Sequence, residues 1–335
     1  MFKKKGFIMA FILIISMIGM TACKKNVGAP EDNAQAEENE DETNTEEPQE
    51  HLIGFSVIDM ENPYFITLER AAKAELEEDG YRMITKNPET DPQLQETQIQ
   101  EMIDEGIEAI ILSPVDWEKI TPSLQALKKA GVKIINVDTQ VKEMEYVDAY
   151  IGSDNQKAGY ICGEDLITKC PDGGKIAILE CPTQNSINDR ITGFEEAIAQ
   201  AENGFEVVER MDTKGEFELA LEAAQKILEE HPDISAIMCG NDQLAVAAKA
   251  AVNVAELDNV IIYGVDGSPD IKKELKKPEN QIAGTAAQSP INMGKQASLT
   301  AVQVLNGEEH EKEVYEDVFM INRDNVDMYG TDGWQ

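Results

Sequence analysis

The chain has 335 residues, with 29 Lys and Arg against 64 Asp and Glu, a formal charge of −35. That acidity excludes a nucleic-acid binder, which needs a basic face for the phosphates, and otherwise indicates solubility. Beyond residue 50 the balance is still 24 basic against 54 acidic residues, and the roughly 285 residues there suit two lobes better than one average domain.

At the amino end Lys3, Lys4 and Lys5 precede an apolar run over 6–20, followed by Thr21-Ala22-Cys23. This is an export signal, short for a spanning helix. Thr-Ala-Cys resembles a bacterial lipobox, in which the chain is cut before the Cys and the thiol is acylated, with Met20 where Leu is usual. Residues 1–22 are therefore expected to be a lipoprotein signal peptide and Cys23 the lipidation site. Acyl chains at Cys23 would hold the protein on the outer face of the cytoplasmic membrane, because anchoring grows with each buried methylene. From Lys24 to Glu50 apolar residues nearly vanish and acids and amides dominate. Such a stretch cannot bury enough surface to fold and reads as a disordered acidic tether, with a reach of at most about 90 Å.

After the tether, β-rich apolar runs fall at 52–58, 81–86, 108–113, 132–138, 175–180, 205–210, 235–239, 260–265 and 282–287. Amphipathic runs of helical period fill most of the gaps, at 63–79, 91–105, 118–130, 155–169, 186–202, 215–230, 241–253 and 289–306. Continuous apolar runs such as Ile110-Ile-Leu112 and Ile176-Ala-Ile-Leu179 suit strands buried on both faces. Alternating βα predicts an α/β protein of two doubly wound parallel sheets, with the change near residue 153. Asp79-Gly80 and Ala130-Gly131 give helix stops, and Asp91-Pro92 and Thr121-Pro122 give helix starts.

Ligands in such folds bind beyond the carboxyl ends of the strands. The first junction, Asp59-Met-Glu-Asn-Pro-Tyr-Phe65, offers an amide, Asn62, and two rings, Tyr64 and Phe65, a set suited to the apolar face and hydroxyls of a sugar. Further strand ends lead to Ser113 and Asp116, to Asp138 and Thr139, to Asp189-Arg190, to Asn241 and Asp242, to Asp266, and to Gln288. A lone Asp, Asn or Ser there is more often a helix N-cap. The whole series, with Arg190 and Gln288 in it, suits paired acceptors and donors for hydroxyls.

These residues carry a resemblance. Glu61-Asn-Pro-Tyr-Phe65, Ser113-Pro-Val-Asp116, Val137-Asp138, Gly152-Ser-Asp-Asn155, Asn188-Asp-Arg-Ile-Thr-Gly-Phe194, Cys239-Gly-Asn-Asp242, Gly264-Val-Asp-Gly-Ser-Pro-Asp270 and Thr285-Ala-Ala-Gln288 follow one another as in the ribose-binding group of type I periplasmic binding proteins, the sugar-binding components of bacterial ABC importers. The resemblance implies two lobes joined by a three-segment hinge, with residues 51–153 plus 289–314 in one and 154–288 plus 315–335 in the other. It implies a ligand shell of Asn62, Tyr64, Phe65, Ser113, Asp138, Arg190, Asn241, Asp266 and Gln288. The sequence departs from the ribose binders at Thr139 (Arg in the family), Ser113 (Asn), Val265 (an aromatic) and Gly215 (an aromatic, with Phe217 nearby). A pentose, a hexose, a polyol or a related signalling molecule therefore all remain open as ligand.

The implied partners are a small sugar or polyol, the membrane through the lipid anchor, and the ABC permease, with the protein acting extracytoplasmically as a monomer. A sensor kinase or chemoreceptor is the alternative recipient of the closed form. No cofactor or metal is expected. There is no GxSxG, HExxH, GxGxxG or P-loop, and His51, His231 and His310 lie away from the strand-end series, so an enzyme is not expected. A sugar-responsive repressor is opposed by the export signal and the acidic charge. Cys162, Cys170, Cys181 and Cys239 lack metal-ligand spacing and read as buried free thiols.

Overall fold

In the computed structural model, residues 51–334 are described, except residue 279. The expected signal peptide, Cys23 and the acidic tether lie in residues 1–50, outside the described residues. Two six-stranded sheets organise the rest. The first contains β1 (His51–Ser56), β2 (Tyr81–Lys86), β3 (Ala109–Leu112), β4 (Lys133–Val137), β5 (Ala149–Ser153) and β11 (Glu313–Glu316), in the order β11-β5-β4-β3-β1-β2 and all parallel. The second contains β6 (Gly174–Glu180), β7 (Phe205–Asp212), β8 (Ala236–Cys239), β9 (Ile261–Asp266), β10 (Ile282–Ala287) and β12 (Phe319–Asn322), in the order β12-β10-β9-β8-β6-β7. There only β12 is antiparallel, to β10.

Helices cover both faces of each sheet, as expected for parallel strands of β-branched residues. On the first sheet, α1 (Pro63–Glu78) and α9 (Pro290–Asn306) bury Phe65, Leu68, Ala72, Met293, Ala297 and Ala301 against Phe55, Ile111 and Ile135. Its other face is covered by α2 (Pro92–Asp104) and α3 (Thr121–Ala130) through Ile99, Met102, Leu124 and Leu127. On the second sheet, α6 (Phe217–Glu230), α7 (Asp242–Val254) and α8 (Pro269–Leu275) share one face, and α4 (Asn155–Lys169) and α5 (Asn185–Ile198) the other. Each such fully buried Leu or Ile is stabilised by about 1.5–3 kcal/mol relative to exposure. Asn62, Asp91 and Asn241 cap α1, α2 and α7 through their side chains, and Gly131 ends α3 in the left-handed region at φ 81°.

The structure corrects the expected elements in four places. Helix α3 starts at Thr121 rather than 118, because Asp116 Oδ1 accepts the Glu118 and Lys119 N–H groups and holds them in a turn. A short strand, β5, and a short helix, α8, stand where no run was singled out. Residues 313–322, which span the boundary expected between 314 and 315, form two strands. β11 pairs with the first sheet and β12 with the second, with only Asp317 and Val318 between them. Among the four cysteines, Cys162, Cys181 and Cys239 are buried but Cys170 is half-buried at the end of α4. The chain thus leaves the first sheet after Ser153, returns to it through α9, and crosses once more between Glu316 and Phe319.

Candidate functional site

Strands β4 and β9 hold equivalent places in the two sheet orders, each two strands in from the edge strand β11 or β12. An aspartate with positive φ stands just past β4, Asp138 at 62°, and at the last position of β9, Asp266 at 141°. Such a conformation is unfavourable for a residue with a side chain and persists only where its surroundings hold it. Around Asp138, the buried Asn136 amide donates to the Leu112 and Thr139 carbonyls at 2.9 and 2.8 Å, and the Tyr150 hydroxyl donates to the Asp138 carbonyl at 2.8 Å. Around Asp266, the Gln288 N–H donates to its carbonyl at 2.9 Å, and Gly267 N–H donates to Thr285 Oγ1 at 3.0 Å.

Arg190 lies between the two carboxylates and is 3% exposed. Its Nε donates to Asn155 Oδ1 and one terminal nitrogen to the Gly240 carbonyl, both at 2.8 Å. Those bonds fix the guanidinium, which then stands 4.0 Å from Asp138 Oδ1 and 3.7 Å from Asp266 Oδ1. Both separations exceed a direct hydrogen bond, so a ligand hydroxyl placed there can be shared between acid and guanidinium. The position of Arg190 depends on close approach of α4 and α5. A Cβ on Gly159 would fall 1.6 Å from the Arg190 carbonyl oxygen, and one on Gly193 would fall 1.8 Å from that of Gln156. Only glycine permits this contact.

The remaining expected residues divide into two groups. Asn62, Tyr64, Phe65, Asp138, Arg190, Asn241 and Asp266 line one cavity of about 300 Å³. Ser113 and Gln288 stand behind the acids. The Ser113 hydroxyl is 3.5 Å from Asp138 Oδ2, and Gln288 Nε2 donates to Asp266 Oδ1 at 2.8 Å. Gln288 Oε1 is buried and, among the described residues, accepts no hydrogen bond. Asn62 and Asn241 are also N-caps, accepting from the N–H of Tyr64 and Leu244 through Oδ1, which leaves the amide nitrogen of each as a donor for a ligand. Tyr64 and Phe65 meet edge to face, centroids 5.2 Å apart.

Several wall residues escaped the sequence reading. Gln184 and Ser186 line the cavity from the start of α5, and Ser186 meets the fully buried Thr139, Oγ to Oγ1 at 2.7 Å. Thr139 also donates to Asp138 Oδ2 at 3.2 Å, so a hydroxyl chain runs from α5 to the carboxylate. Nothing in the local sequence marks Ser186; only its apposition to the residue after Asp138 does. At Gly215, φ is +77°, and the turn there brings Phe217 into the cavity wall. Asp242 lies beneath Asp266, accepting from the Thr285 hydroxyl and the Ser268 N–H, both at 2.7 Å.

Burial pushes the Asp138, Asp242 and Asp266 carboxyls above the usual carboxylate range, while the Arg190 guanidinium pulls each of them back down. Asp266 is raised further by the charges of Asp242 and Asp138. The site therefore sets three poorly solvated carboxyls around one cation, an arrangement that favours ligands able to donate several hydrogen bonds without bringing negative charge.

Residues 53–309 match the family described as the periplasmic binding protein domain. The chain is 27% identical over 304 residues to the ribose import binding protein RbsB of Bacillus subtilis, a match covering 90% of this chain and 94% of that protein. It is similar in structure to an ABC transporter solute binding protein from Mycobacterium smegmatis with bound glycerol, with a TM-score of 0.79, 28% identity, and coverage of 83% of this chain and 96% of the other. A periplasmic solute binding protein from Actinobacillus succinogenes with bound D-allose gives a TM-score of 0.75 and 26% identity, over 84% of this chain and all of that one (100%). The chain belongs to the periplasmic binding protein family, within its ribose-binding-like group, and is a binding protein rather than an enzyme.

Proposed function

We propose that this protein captures a sugar or sugar-like polyol between its two lobes and delivers it to an ABC permease, while Cys23 anchors it by lipid to the outer face of the cytoplasmic membrane. The observation that carries the reading is Arg190 held between Asp138 and Asp266, 4.0 and 3.7 Å from their nearest oxygens. A polyol offers hydroxyls that donate to the acids and accept from the guanidinium at once. The relatives named for ribose import and the structure holding D-allose support the same class. The lobes, 51–153 with 289–314 and 154–288 with 315–335, would close on the ligand, because only the closed form brings both acids to it. Thr139 and Ser113, shorter than the family's residues there, leave the choice of sugar to measurement.

Thermal denaturation against pentoses, hexoses and polyols tests this. A ligand at about a hundred times its Kd stabilises a native-only binder by roughly 2.7 kcal/mol. One sugar should shift the melting temperature clearly, and Asp138→Ala or Asp266→Ala should abolish the shift. A folded protein that no member of the panel stabilises would sink the sugar reading. Acylation at Cys23 is tested separately, by metabolic labelling with a fatty acid, which Cys23→Ser should prevent.

A further inference from the structure

A second compartment of about 320 Å³ adjoins the sugar site and shares four wall residues with it, Asn62, Phe217, Gln243 and Asp266. Its other walls are Pro63 on one lobe, Val246 and Pro269 on the other, and Trp334, with Asp242, Ser268 and Asp270 as the polar part. Trp334 arrives on the tail that follows β12, on the second sheet, yet packs against the apolar cluster of the first. Its ring meets Tyr64, itself a wall of the sugar site, edge to face with centroids 5.7 Å apart. The tail is pinned one residue earlier, where the fully buried Lys272 donates to the Gly333 carbonyl at 2.6 Å.

We propose that this compartment binds an apolar, planar substituent of the ligand, so that the preferred solute is a sugar bearing an aromatic or heteroaromatic group rather than the free sugar. The proposal rests on the sugar reading above. With the polyol held by Asp266 and Asn62, a substituent leaving it past Phe217 enters the compartment and meets Trp334. An indole face and the Phe217 ring are suited to a flat π-system, and the volume exceeds that of a single ring or a nucleobase.

The test uses calorimetry on the full chain with matched probes: methyl and phenyl β-D-glucopyranoside, methyl and phenyl β-D-galactopyranoside, and methyl β-D-ribofuranoside with adenosine. At least one aromatic member should bind about tenfold or more tightly than its methyl partner, as expected for burying one ring. Trp334→Ala should bring the affinity ratio of each aromatic member to its methyl partner to within about twofold of unity, whatever it does to the methyl glycoside's own Kd, and Trp334→Phe should restore most of the ratio. Equal affinities within every pair would overturn the compartment while leaving the sugar reading intact, as would a gain that survives Trp334→Ala. If no glycoside bound at all, the sugar reading itself would fall, and this inference with it.

Discussion

The two lobes put an aspartate at the same place, the end of the strand two in from the sheet edge, and surround it differently. Asp138 on the first lobe takes hydroxyl donors, Thr139 and Ser113, and stands among the rings Tyr64 and Phe65. Asp266 on the second takes an amide, Gln288, sits above another buried acid, Asp242, and shares its lobe with Arg190. One lobe thus supplies apolar ring faces and one acid, and the other supplies the cation and most of the buried polar network. A ligand that met both sets would favour a closed form, since neither lobe alone offers both. The same asymmetry appears at the sheet edges, where β11 runs parallel to β5 but β12 antiparallel to β10.

Removing the shared cation should have the largest effect. Arg190→Ala leaves Asp138 and Asp266 buried and facing each other, and breaking such a buried arrangement costs about 3–5 kcal/mol. Sugar affinity by calorimetry should fall at least about a hundredfold, and a loss under tenfold would break the picture of two acids sharing one guanidinium. Next comes the packing that places it. Gly193→Ala puts a Cβ 1.8 Å from the Gln156 carbonyl oxygen, so stability in urea should drop by about 1–3 kcal/mol. An unchanged midpoint would mean that α4 and α5 can separate freely.

A smaller effect sharpens the contrast between the acids. Because burial raises the pKa of Asp138, Asp242 and Asp266, the folded state holds more protons than the unfolded one above the ordinary carboxylate pKa of about 3.9. The cluster's contribution to stability is therefore present at low pH and is lost as pH rises through the raised values. The ligand-free melting temperature should carry a component that falls as pH rises from about 4 to about 8, the value to which Asp266 is pushed, and Asp266→Asn should reduce it more than Asp138→Asn does. Equal effects would erase the difference that Asp242 makes. The smallest change separates capping from binding. Asn62→Asp keeps the N-cap oxygen at a half-buried position, so stability should stay within about 0.5 kcal/mol, while sugar affinity falls with the lost amide donor. Unchanged affinity would reduce Asn62 to a cap.

Much of this was legible because parallel strands announce themselves. Ile110-Ile-Leu112 and Ile176-Ala-Ile-Leu179 are apolar on both faces, and the residue after such a strand falls at the sheet's ligand-binding edge. That rule picked out Asp138, Asn241 and Asp266, and the segment following β6 led on to Arg190; all four line the cavity. It could not tell wall from support. Ser113 and Gln288 read like Asp138 in sequence, yet stand one layer back, touching the acids. Nor could it find Ser186, Gln184 or Trp334, whose places depend on the approach of segments far apart in the chain.

The sequence by itself determined the alternation of strands and helices and the strand ends that carry polar groups, because each follows from periodicity or capping over a short stretch. Only the tertiary structure decided that 313–322 splits between two sheets, that the Thr139 and Ser186 hydroxyls meet, and that Arg190 stands between Asp138 and Asp266. Those are relations between residues on different elements. They are fixed by how helices and sheets pack against one another, which no local pattern encodes.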